Sequence, residues 1–92
     1  MSDERKPIPP QRVRTPIQIG AALRRRRRAL GWTQSQLGER AGLRQATISE
    51  LERGANGIHL KSLCDVVSAL GLDLVIEPRD SASLEASIAE VF

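Results

Sequence analysis

The chain has 92 residues, which is enough for one small domain with tails. Its formal net charge of +3 and its pI of about 10.0 favour an anionic partner. It contains one cysteine and one histidine, which excludes an intrachain disulfide and leaves no group of catalytic or metal-binding side chains. We therefore expect no enzymatic activity, no cofactor and no metal. Because no apolar run is long enough for a leader or a membrane span, we also expect a cytoplasmic protein.

The N-terminal segment, residues 1–14, contains three prolines and four basic side chains. It has too little apolar surface to order itself, so we expect a disordered basic arm. Such an arm could contact the phosphates or minor groove of a nucleic acid, or it could be a frayed, solubilising tail.

A first helix is predicted to follow this arm. Thr15 is expected to cap it, Pro16 suits its first position, and Gln18 would complete a capping box. Its apolar stripe is expected to consist of Ile19, Leu23 and Leu30, and Gly31 is expected to end it. Residues 24–28 are all arginine; Arg27 lies at the edge of the stripe, and a charge in that place needs a partner.

Residues 33–52 predict two short helices joined by a tight turn, the arrangement of a helix-turn-helix. Thr33 and Gln36 have capping-box spacing at the start of the first helix. Gly42 follows its end, where a left-handed residue is favourable. In the second helix the inward side consists of Ile48, Leu51 and Glu52, and the outward side of Gln45, Ala46, Ser49 and Arg53. A short, polar outward side suits reading base edges, although an ordinary helical hairpin would show the same spacing.

Residues 19–71 resemble the DNA-binding domains of the Xre/Cro repressor family. The matching residues are Gly31-Trp32-Thr33-Gln34, Leu37, Ala41-Gly42-Leu43, Gln45, Thr47-Ile48-Ser49, Leu51-Glu52-Arg53-Gly54, and Leu60 with Ala69-Leu70-Gly71. The resemblance implies a compact bundle of four or five helices. It also implies that Gln34 contacts DNA phosphate. It further implies that Glu52 is the ion-pair partner of Arg27 and so holds the first helix against the second helix of the helix-turn-helix, which we call the reading helix.

For double-stranded DNA we expect base contacts from the second helix of the motif. Gln45 can make paired hydrogen bonds to adenine, and the other base-contacting residues are expected to be Ala46, Thr47 and Ser49. The expected phosphate contacts are Thr33, Gln34, Arg44, Arg53 and, in the loop of residues 54–57, Asn56. A two-fold symmetric dimer would then bind a palindromic operator.

A last helix is predicted by the apolar face Leu60, Leu63, Val66, Val67 and Leu70, with Cys64 buried within it. The next segment, residues 72–78, alternates as a strand and stops at Pro78. Since the chain has no second strand to pair with, we expect this one to pair across a homodimer through Leu72, Leu74, Val75 and Ile76. A short extended tail is the alternative.

A helix-turn-helix followed by a dimerising strand is similar to the HipB-type antitoxins. The shared residues are Gly31-Trp32-Thr33-Gln34-Ser35, Gln45-Ala46-Thr47-Ile48-Ser49 and the strand Leu72–Ile76. This resemblance implies a repressor that autoregulates its operon and has a HipA-like kinase toxin as its partner. An Xre-family regulator without a toxin, either phage-type or metabolic, is the alternative, because the DNA-reading part is the same.

The expected architecture is therefore mainly α, with one C-terminal strand. It divides into an arm at residues 1–14, a DNA-binding domain at 15–71, a dimerisation strand at 72–78 and a tail at 79–92. The tail ends with apolar side chains at helical spacing, so it could fold onto its own domain, dock on a partner or stay disordered.

Overall fold

The computed structural model describes residues 8–79 of the chain, and within them the fold is mainly α. The four helices of this region are α1 (Pro16–Ala29), α2 (Gln34–Ala41), α3 (Gln45–Arg53) and α4 (Leu60–Ala69). The predicted helical bundle is confirmed at its lower count of four. Half of the predicted arm, residues 1–7, and all but the first residue of the predicted tail, residues 80–92, lie outside the described residues.

The starts of α1 and α2 follow the predicted capping chemistry of their threonines. Thr33 accepts a hydrogen bond from the Gln36 backbone at 3.0 Å, and the Gln36 side chain accepts one from the Thr33 backbone at 2.8 Å, so α2 has a complete capping box. Thr15 caps α1 in the same way, at 3.1 Å from the Gln18 backbone nitrogen. The second half of that predicted box is wrong, because Gln18 Oε1 accepts from the backbone of Arg14, one residue before the cap.

The core lies where all four helices meet, and it is aliphatic. Its buried members are Leu23, Leu37, Ile48, Leu51, Val66, Val67 and Leu70. Helix α1 crosses α3 at Gly20, where an added Cβ would overlap the Leu51 carbonyl and lie 2.5 Å from the carbonyl oxygen of Glu52. Only a glycine permits this approach of the two backbones.

The turn of the helix-turn-helix depends on Gly42, which ends α2 in the left-handed region with φ of 74°. Helix α3 begins three residues later, at Gln45, with Arg44 in extended conformation before it. The turn thus sets the relative orientation of α2 and α3, which both contribute to the surface described below.

Two predictions about α4 are wrong. Leu60 is 74% exposed, because the helix begins there and its first residue projects beyond the core. Cys64 is also exposed, since the inward face of α4 is formed by Val66, Val67 and the adjoining Leu70. None of the helices in the described region is long and apolar enough to cross a membrane.

Residues 72–78 have no regular secondary structure in the single chain. Leu72 packs against the core, whereas Leu74, Val75 and Ile76 are 53%, 73% and 100% exposed. The sequence of this segment predicts a strand, and the isolated protomer offers no other strand among residues 8–79 with which it could pair.

Candidate nucleic-acid interface

The N-termini of α2 and α3 lie side by side and form one polar surface, which we call the reading surface; it consists of Thr33, Gln34, Gln45, Ala46 and Ser49. Gln45 and Ala46 are exposed, and Gln34 and Ser49 are partly buried. The two helices are brought together by a hydrogen bond from Gln45 Nε2 to Gln34 Oε1 at 2.9 Å. The structure therefore unites a predicted base contact and a predicted phosphate contact at one point.

A buried ion pair lies directly beneath the reading surface. Arg27 Nε is 2.6 Å from Glu52 Oε2, and Arg27 Nη2 donates to Glu52 Oε1 at 3.0 Å. Both side chains are more than nine-tenths buried, with 9% and 4% of their surface exposed. The third guanidinium nitrogen, Nη1, donates to the backbone carbonyl of Trp32 at 2.7 Å. This bidentate geometry joins α1, the α1–α2 turn and α3.

The ion pair and the reading surface are connected through Gln34. Its Nε2 donates to Glu52 Oε1 at 3.1 Å, while its Oε1 accepts from Gln45. We call the continuous series Arg27–Glu52–Gln34–Gln45 the polar relay. No side-chain nitrogen or oxygen that is buried in the described region lacks a hydrogen-bond partner.

The relay shifts the protonation equilibria of its two charged members. Burial by itself would raise the pKa of Glu52, but hydrogen bonds from Arg27 and Gln34, together with the positive charges of Arg27 and Arg24, bring that pKa below its usual value. The hydrogen bond to Glu52 raises the pKa of Arg27 above its usual value, against the opposing effect of burial. Both groups are thus ionised at neutral pH.

The remaining predicted DNA contacts are distributed around α3. Arg53, at its C-terminal end, donates through Nη1 to Ser49 Oγ at 2.9 Å, so a predicted phosphate contact holds a predicted base contact. Arg44 is exposed at the start of the helix and makes no side-chain capping bond. Asn56 is exposed in the loop after α3, beyond the end of this helix that is opposite Gln45. Thr47 is partly buried, and it lies between the exposed Ala46 and the buried Ile48.

Sequence reasoning did not find Gln34 as the link between Glu52 and Gln45. Its partners are eighteen and eleven residues away and lie on another helix, so no periodicity within one helix relates these positions. Nor did it find the carbonyl of Trp32 as a partner of Arg27, or Arg40 stacked on the Trp32 ring at 4.1 Å. The signal that was available is chemical: a buried charge at Arg27 requires more than one acceptor.

A second polar contact lies away from the reading surface, at the base of the candidate dimerisation segment. Arg26 Nε donates to the carbonyl of Leu70 at 3.0 Å and so closes the C-terminal end of α4. Arg12 lies 4.0 Å from Glu77, and Arg25 hydrogen-bonds to Gln11. Residues 11–12 therefore run beside α1 and reach the segment that follows α4.

Comparison with known proteins identifies the family. The helix-turn-helix family model HTH_3 matches residues 23–76. The antitoxin HipB of Escherichia coli O6:H1 is 32% identical over 77 residues, which are 84% of this chain and 82% of HipB. An uncharacterized HTH-type transcriptional regulator of Sinorhizobium fredii, y4dL, is 44% identical over 61 residues, 66% of this chain and 31% of that protein.

Among solved structures, a chain described as part of the HipA-HipB-O2-O3 complex superposes with a TM-score of 0.71 at 30% identity. The match covers 76% of this chain and 99% of that chain. These findings confirm the resemblance that the sequence motifs indicated. The chain therefore belongs to the Xre-type helix-turn-helix family, in which the HipB antitoxins are its relatives.

Proposed function

We propose that this protein is the DNA-binding antitoxin of a HipA-like kinase toxin, and that it represses its own operon by binding a palindromic operator as a homodimer. The observation that carries the proposal is the reading surface: an exposed Gln45 at the tip of α3, held by hydrogen bonds that lead to a buried ion pair. Its relatives over most of the chain are HipB antitoxins.

Base recognition is assigned to the outward side of α3. Gln45 is exposed at the first turn, where a recognition helix meets base edges in the major groove. Its amide can pair with adenine N6 and N7. Ala46 and the methyl group of Thr47 are suited to contact a thymine methyl, and Ser49 can donate to or accept from a base.

Phosphate contact is assigned to the N-terminus of α2 and to residues that flank the two ends of α3. Thr33 and Gln34 stand at the N-terminus of α2, where free backbone N–H groups and the helix dipole favour an anion. Arg44 precedes α3, Arg53 ends it, and Asn56 lies in the loop beyond. Contacts on both sides of the groove would fix the helix in register, and they would make affinity fall steeply with salt.

Dimerisation is assigned to the segment of residues 72–78. Leu74, Val75 and Ile76 are mostly exposed in the protomer, and their backbone groups make no ladder there. Antiparallel pairing with the same segment of a second copy would cover these side chains and satisfy the backbone. Two-fold symmetry would place two α3 helices about 34 Å apart, one turn of DNA.

The toxin partner is proposed from the relatives. The HipA-HipB-O2-O3 structure contains a chain that is similar to nearly the whole described domain. We infer that this protein likewise forms a complex with a HipA-like kinase and operator DNA. As an operator-bound repressor it would act in the cytoplasm, at the nucleoid.

The DNA-binding part of the proposal is tested by fluorescence anisotropy with DNA from upstream of the gene and with random duplex. Gln45→Ala should cost about 1–3 kcal/mol on the cognate operator and relax one base position, while Arg53→Ala should weaken binding to both DNAs alike. Lys61→Ala is the control for lost charge, because Lys61 is paired with Asp65 on α4. Equal losses by Gln45→Ala on cognate and random DNA would contradict the base contact.

The antitoxin part has a separate test. If a kinase-like reading frame adjoins the gene, the purified kinase should bind this protein in solution and lose activity when bound. An Xre-type regulator without a toxin is the second candidate, favoured by the 44% identity with the Sinorhizobium regulator. Intact operator binding with no effect on the kinase would decide for that candidate.

A further inference from the structure

The polar relay gives Glu52 a second hydrogen-bond partner, Gln34, besides Arg27 of the ion pair. Its Oε1 accepts from Gln34 at 3.1 Å, and Gln34 in turn accepts from Gln45 at 2.9 Å. Glu52 is buried, with 4% of its side chain exposed, whereas Gln45 is exposed. The relay therefore runs from the interior of the domain to the tip of the reading helix.

The hydrogen bonds of the relay have a direction that follows from chemistry. An ionised carboxylate only accepts, so Gln34 must turn its NH₂ group toward Glu52. The oxygen of the same amide then faces Gln45, which must donate. A glutamine amide without such a neighbour can turn by 180° and exchange its donor and its acceptor. One acceptor at the buried end therefore fixes the orientation of two amides.

We propose that Glu52 is a specificity-determining positioning residue, which acts through Gln34 to fix the side-chain amide of Gln45 in one orientation before DNA is met. This inference rests on the proposed function. In the fixed orientation Gln45 keeps Oε1 and one Nε2–H free, and these match the N6 donor and the N7 acceptor of adenine. The opposite orientation would set the NH₂ group against N6 and the oxygen against N7, so both hydrogen bonds would be lost.

The test compares how well each variant discriminates between bases at single positions of the operator. A purely structural role of Glu52 would not change discrimination at one operator position alone. Glu52→Gln keeps the size of the side chain but can donate as well as accept, and Gln34→Leu cuts the relay while leaving the ion pair in place. Glu39→Gln, on the exposed side of α2, is the matched control for a lost carboxylate. Each variant is made with and without Gln45→Ala.

Affinity is measured on four operators that differ only at the base pair relaxed by Gln45→Ala. Glu52→Gln and Gln34→Leu should each reduce the preference for adenine there by about three- to tenfold, with preferences at other positions unchanged. In the Gln45→Ala background neither should have a further effect on that preference, because the interaction acts through Gln45. Glu39→Gln should behave as the unmodified protein.

The inference is overturned if Gln45→Ala relaxes one position while both relay variants leave it intact; the proposed DNA contact would then still stand. If Gln45→Ala relaxes no position, the base contact and the inference fall together. Should Glu52→Gln not fold, Gln34→Leu decides by the same criterion. In the free protein, NMR should show contacts between the two side-chain amides and altered Gln45 amide signals in Glu52→Gln, and unaltered signals would also refute the relay.

Discussion

The buried ion pair makes a sharp prediction about stability, because its two partners are close to fully withdrawn from water. Arg27 Nε lies 2.6 Å from Glu52 Oε2, and the side chains are 9% and 4% exposed. Glu52→Leu leaves the guanidinium buried without its counter-charge, which should cost about 3–5 kcal/mol. A domain spanning residues 15–71 has a total stability of roughly 3–9 kcal/mol, so this variant should lose a third or more of it and keep at most about 6 kcal/mol.

Restoring neutrality should recover most of this loss. In Arg27→Met/Glu52→Leu the charges are gone and the volume is kept, and replacing both partners of a buried pair by apolar side chains is often neutral or stabilising. The carbonyl of Trp32 loses the hydrogen bond from Arg27 Nη1 in this variant, and that loss should lower the free energy of unfolding by about 1 kcal/mol. We expect the double variant to lie within about 1 kcal/mol of the unmodified protein.

The measurement is urea unfolding followed by far-UV circular dichroism and by fluorescence of Trp32, the single tryptophan. Coincident curves from the two probes would establish two-state unfolding, so that free energies can be compared. The reasoning is refuted if Glu52→Leu loses less than about 1 kcal/mol, or if the double variant is as unstable as the single one.

Further predictions concern unfolding in acid, the crossing of α1 and α3, and the proposed dimerisation segment. Since folding lowers the pKa of Glu52 below its usual value, Glu52 contributes stability that is present above its unfolded pKa and is lost as the pH falls through the folded value. The urea midpoint should therefore drop in acid, and it should drop less in Glu52→Gln. Gly20→Ala should cost about 1–3 kcal/mol, because its methyl overlaps the Leu51 carbonyl. An unchanged or raised urea midpoint in Gly20→Ala would contradict the close approach, because alanine is otherwise the better helix former. Val75→Pro should remove a hydrogen-bond donor from the proposed dimer ladder, so the mass measured by sedimentation should fall from that of a dimer toward that of a monomer. An unchanged mass would argue against pairing through this segment.

The parts of the fold that were predictable from sequence are those that depend on residues close together in the chain. The capping box of Thr33 and Gln36 spans three residues, and the left-handed end of α2 depends on Gly42 alone. The inward side of α3 follows from helical spacing, and Ile48, Leu51 and Glu52 are indeed buried. Such features are local, so the sequence contains the complete signal.

The features that escaped prediction depend on packing between distant segments. Leu60 fits the apolar period of α4, yet the helix begins there, beyond the reach of the core. Cys64 falls within the apolar pattern of α4, which predicts a buried small apolar side chain, but it is exposed because the neighbouring helices cover a different side of α4. The bond between Gln34 and Gln45 needed the relative placement of α2 and α3, which only the folded turn provides.

Stability alone does not account for a charged pair at this place in the core. An apolar pair of equal volume would spare the domain the cost of dehydrating two charges, and a small domain has little stability to lose. What an apolar pair could not supply is a buried acceptor with a fixed direction, one hydrogen bond away from Gln34 and two away from Gln45. The double variant Arg27→Met/Glu52→Leu should therefore fold well and still discriminate poorly between bases, because stability and reading depend on different properties of Glu52.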